Sequence, residues 1–61
     1  MTLINLIIFI DGNETLHIYK KDQSMWIGKA TNAIDEIDDD ALCSKVNNIY
    51  TGFSGLCVEI R

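Results

Sequence analysis

The chain contains no proline among its 61 residues, and only five lysines and arginines, two cysteines, one histidine and one tryptophan. Each shortage excludes something. The five cations are Lys20, Lys21, Lys29, Lys45 and Arg61, and only the first two are adjacent. They are too few to neutralise a run of phosphates, so direct binding to DNA or RNA is disfavoured. One histidine and two cysteines fall short of the usual four ligands of a zinc site within one chain. The apolar N-terminal stretch, residues 1–10, is far shorter than the roughly 20 residues that span a bilayer. It also lacks the basic flank and small-residue cleavage site of a secretory signal. The expectation is a cytoplasmic protein with Cys43 and Cys57 as free thiols, no membrane role, no metal and no cofactor.

What the chain does have is apolar mass and acid. Hydrophobic residues make up 48% of it, which excludes disorder by composition. The length predicts a single domain over residues 1–61, and a domain of this size buries only about 60% of its unfolded surface. The net charge is −4, and five of the nine carboxylates fall in the six-residue run Asp35-Glu36-Ile37-Asp38-Asp39-Asp40. Such a run repels nucleic acid and attracts basic protein surfaces.

The coarse pattern predicts an α+β fold of order ββ(β)αβ. This is a small antiparallel or mixed sheet of three to four strands, with one helix on one face. Residues 3–10 are short and rich in β-branched side chains, which favours a strand. Asp11-Gly12-Asn13 then reads as a turn, and Thr15 to Lys20 alternates with period two, completing a hairpin. Asp22-Gln23-Ser24 is a second polar break. Residues 24–29 are ambiguous between strand and helix, with Trp26 and Ile27 tilting the reading to an extended segment. Ala30, Ile34, Ile37, Ala41, Leu42, Val46, Ile49 and Tyr50 recur at helical spacing and predict a helix over most of 33–50, with Gly52 ending it. Asp38 to Asp40 offers an alternative start for a second helix, with the chain bent at Ile37. Leu56, Val58 and Ile60 then face one way in a final strand.

If residues 3–10 form a strand covered by a helix on one side only, Leu3, Ile7 and Phe9 remain on its other side. They are then a candidate oligomer face, because contiguous exposed apolar surface usually marks an interaction site. The competing reading buries that strand under the Met25-Trp26 segment.

No catalytic pattern accompanies these features. His17 has no recognised nucleophile and orienting partner in sequence. The run from Asp35 to Asp40 has no glycine and is interrupted by Ile37, unlike a calcium loop. A pair of carboxylates for glycoside hydrolysis would need a cleft. As a solvated helix start the acidic run needs no function. As a contact surface it presents carboxylates that mimic phosphates, with Trp26 as an anchor. Tyr50, on the helical stripe, reads as core.

In length, acidity, single-domain layout and a C-terminal strand, the chain resembles, at class level, the small acidic proteins that bacteriophages make to block host enzymes. Anti-CRISPR proteins and phage antitoxins are among them. It implies a non-enzymatic inhibitor that occludes a basic groove on a nucleic-acid-handling enzyme, in the host cytoplasm if phage-encoded. The contact residues would be Asp35, Glu36, Asp38, Asp39, Asp40 and Trp26. The alternative is a homo-oligomeric structural or adaptor protein, at simplest a homodimer, whose acids serve only solubility.

Overall fold

The computed structural model describes residues 1–52 and 55–61. The fold is α+β, a four-stranded mixed sheet with short helices. In chain order the elements are α1 (Leu3–Phe9), β1 (Thr15–Lys20), β2 (Gln23–Lys29), α2 (Ala30–Glu36), α3 (Asp39–Leu42), β3 (Val46–Gly52) and β4 (Gly55–Ile60). The sheet runs β2-β1-β4-β3, so two antiparallel hairpins meet along the parallel pair β1 and β4 at its centre.

The first segment is a helix, which corrects the strand expected over residues 3–10 and the hairpin built on it. Its start is set by Thr2, whose hydroxyl accepts from the Asn5 amide while the Asn5 side chain reaches back to the Thr2 amide, a reciprocal cap. Leu3, Leu6 and Ile7 fall on one stripe and are buried. Leu3 and Ile7 are therefore core residues and not an oligomer face. Only Phe9 of that expected trio is on the surface, at 85% exposure, beside Ile8 at 66%. Apolar residues on both sides of an apparent period-two pattern concealed a helical period at i, i+3 and i+4.

The expected helix over 33–50 is also divided. α2 stops at Glu36, Ile37 is extended and buried, and Asp38 caps α3 by accepting from the Ala41 amide at 2.9 Å. The alternative bend at Ile37 is the one the chain adopts, because aspartate is a strong N-cap that opens a new helix. Residues 46–52 form a strand rather than more helix. Val46, Ile49, Tyr50 and Thr51 are strand formers, and Asn47 and Asn48 are poor helix formers, so β4 captures the segment. Gly52 pairs with Gly55 across this second hairpin instead of ending a helix. Gly55, at φ 130° and with the Thr15 carbonyl where a Cβ would sit, holds a position closed to other residues.

The sheet has one covered face. Leu16, Ile18, Val58 and Ile60 point to the helices and pack with Leu3, Leu6, Ile7, Ala30, Ala33, Ile37, Ala41 and Leu42. The contributions of α2 and α3 to this core include the buried alanines Ala30, Ala33 and Ala41. The N-terminus is tied to the far edge, where Leu3 N–H donates to the Ser44 carbonyl and Val46 N–H to that of Met1. Among the described residues no helix is long and apolar enough to cross a membrane.

Candidate functional site

Two surfaces carry side chains of chemical interest. The first is built where β2 meets the α2–α3 bend. Trp26 lies opposite Ile18 in the β1–β2 ladder, so it faces the helices. Gly28, two residues on and on the same side, leaves room for the indole: a Cβ there would meet ring carbons at 2.7 and 2.9 Å. The ring is half-buried, and its Nε1–H donates to Oε1 of Glu36 at 3.0 Å. Beyond Glu36 the chain turns at Ile37 and presents Asp38. Together Ile18, Met25, Trp26, Glu36, Ile37 and Asp38 line an open pocket of about 200 Å³. Its floor is apolar, one wall is aromatic, and two carboxylates belong to the lining.

Three of the six residues expected at a contact surface, Trp26, Glu36 and Asp38, thus share this pocket. Asp35, Asp39 and Asp40 are exposed but do not line it. The five acids do not form one helical face. Asp35 and Glu36 end α2, whereas Asp38 caps α3 and Asp39 and Asp40 occupy its first turn. The run also has intramolecular uses that the sequence conceals, namely the Asp38 cap and the Glu36 bond to Trp26.

The second surface is the uncovered face of the sheet, where Tyr50 lies at 48% exposure instead of in the core. Here His17 pairs with Ile27 on one side and Cys57 on the other, and Tyr50 lies beyond Cys57. His17 Nε2 is 2.6 Å from Ser24 Oγ, and its Nδ1 is 3.1 Å from the Tyr19 hydroxyl. The His17 and Tyr19 rings stack with centroids 4.1 Å apart. A serine on an imidazole held by a third group is the start of a nucleophilic arrangement. This one lies on an open sheet face, and none of its three residues lines the pocket at Trp26. Sequence reasoning missed it. The i, i+2 spacing of His17 and Tyr19 places both on one strand face, but Ser24 arrives only through the hairpin register.

Desolvation, then the negative charge of Cys57, Tyr19, Glu59 and Asp22, raises the Tyr50 phenol above its ordinary 10.0. Both cysteines are free, with Cys43 exposed and Cys57 buried. Among the described residues no group of three or more His, Cys, Asp and Glu is placed to hold a metal ion. Compared with protein-family profiles, curated proteins and solved structures, the chain matches none.

Proposed function

We propose that the protein is a non-enzymatic binding module that docks on a basic protein surface and inhibits by occlusion. Its contact face is the β2 edge together with the α2–α3 bend. The observation that carries this reading is the convergence of Trp26, Glu36 and Asp38 on one pocket, with Asp35, Asp39 and Asp40 exposed along the same bend. Interfaces draw most of their energy from a few aromatic and charged anchors set in pockets. The surrounding acids speed encounter with a basic partner and make it sensitive to salt. A groove that normally holds phosphates matches this charge pattern, which favours a nucleic-acid-handling partner over direct contact with nucleic acid. The two free thiols fit a cytoplasmic setting.

The test is a titration against a recovered partner at two ionic strengths, using the wild type and an Asp35→Asn/Asp38→Asn/Asp39→Asn variant. Asparagine also caps helices well, so the variant keeps the α3 start. On this reading the variant binds at least tenfold more weakly at low salt, and the wild type weakens steeply as salt rises. Equal affinities would leave the acids as a solvated face.

One observation favours the homo-oligomer reading. β3 is an edge strand with no charged residue, and exposed edges of that kind pair with other chains. Light scattering behind size exclusion separates the two, since only this reading requires a dimer of the isolated chain.

A further inference from the structure

The pocket at Trp26 has a more specific chemistry than a general acidic surface. We propose that it receives one arginine side chain from the partner, an inference that rests on the docking reading above. Three features converge. The lining includes Met25, apolar and 44% exposed, which suits the aliphatic stem of a long side chain. The indole of Trp26 is the side chain best suited to attract a cation over its ring, and arginine stacks there better than lysine. The two carboxylates, Glu36 and Asp38, are already held in place. Glu36 uses Oε1 to accept from the indole, and Asp38 uses Oδ1 to accept from the Ala41 amide.

Both of these donors are neutral, so they orient the carboxylates without cancelling their charge. Each carboxylate keeps a second oxygen with lone pairs to offer. A guanidinium presents five N–H donors in a planar fork and can serve both oxygens at once, whereas an ammonium offers a single point of charge. The volume, about 200 Å³, suits one side chain rather than a peptide segment. Ile37, between the two acids in sequence, is buried, and each carboxylate already has a hydrogen-bond partner within the fold before any partner arrives.

The test uses two blocked heptapeptide probes, Gly-Lys-Lys-Arg-Lys-Lys-Gly and the same peptide with lysine in the central position. Each is titrated into the full chain while the indole N–H resonance is followed. Because the chain has one tryptophan, that signal belongs to Trp26. The expected result is that the arginine peptide binds about fivefold tighter than the lysine peptide and moves the indole signal. Glu36→Gln, whose amide oxygen still accepts from the indole, should weaken the arginine peptide more than the lysine peptide and so remove that preference. If both peptides bind equally and the indole signal stays still, the arginine pocket is refuted while the acidic docking reading survives. If neither peptide binds, both are refuted.

Discussion

Trp26 on β2 and Glu36 at the end of α2 are joined by a hydrogen bond of 3.0 Å between the indole N–H and a carboxylate oxygen. This bond closes the hairpin edge onto the helical layer. It also sets one wall of the pocket, so a structural contact and a candidate binding contact are the same pair of residues. Trp26→Phe should cost about 1–2 kcal/mol, the value of a bond to a carboxylate reduced by its exposure to solvent. Glu36→Gln should stay within about 0.5 kcal/mol, because an amide oxygen replaces the acceptor. Thermal melts of the two variants check this. A neutral Trp26→Phe would mean that the bond holds nothing in place.

Ile7 and Phe9 lie two residues apart and have opposite fates. Ile7 is 5% exposed and Phe9 85%. Ile7→Lys should therefore destabilise the fold by at least about 3 kcal/mol, through lost packing and a desolvated ammonium. Phe9→Lys should shift stability by no more than about 0.5 kcal/mol. Denaturant unfolding of both variants decides the matter. Similar small effects would contradict helical α1 and restore the strand reading.

The β1–β2 turn stores strain. Lys21 and Asp22 take φ values of 52° and 65°, the left-handed region that suits Asn-Gly in two-residue hairpins. Asp22→Gly should relieve steric cost and stabilise the chain by about 1 kcal/mol. A midpoint lower than wild type in urea would argue against this turn.

Tyr50 supplies a pH dependence at the alkaline end. Desolvation and the negative groups near it raise its pKa in the folded chain above 10.0. The unfolded chain therefore loses that proton first. The contribution of this residue is intact below pH 10 and is lost as pH rises through the folded value. Alkaline melts of wild type and Tyr50→Phe should diverge in that window, with the wild type falling faster. Parallel curves would rule out a role for Tyr50.

How far the sequence reached can be traced through individual residues. Thr15 to Lys20 and Leu56 to Ile60 alternate cleanly, and both are strands, because one sheet face is buried and period two survives. The α+β class followed from such segments. The first helix was hidden because Leu3, Ile4, Leu6, Ile7 and Ile8 satisfy both periods. The local sign that distinguishes them is the Thr2–Asn5 cap, one residue before the apolar run. Val46, Ile49 and Tyr50 matched a helical stripe, but pairing with β4 overrode it, and only tertiary contacts could reveal that. At the site, the acids and Trp26 were individually legible. Their meeting was not, since it depends on the β2 register and on the bend at Ile37. The Ser24–His17–Tyr19 chain was hidden for the same reason, because a cross-strand partner has no signature in linear spacing.

The central claim is that the β2 edge and the α2–α3 bend form the face that meets a basic partner. The most direct measurement is a map of amide shifts in the isotope-labelled full chain as the blocked arginine heptapeptide is added at low salt. The account predicts that the largest shifts fall at Met25, Trp26 and residues 35–40, and that they collapse when salt is raised. Shifts centred instead on His17, Tyr19 and Tyr50, or along β3, would contradict it and move the binding face to the open side or the edge of the sheet.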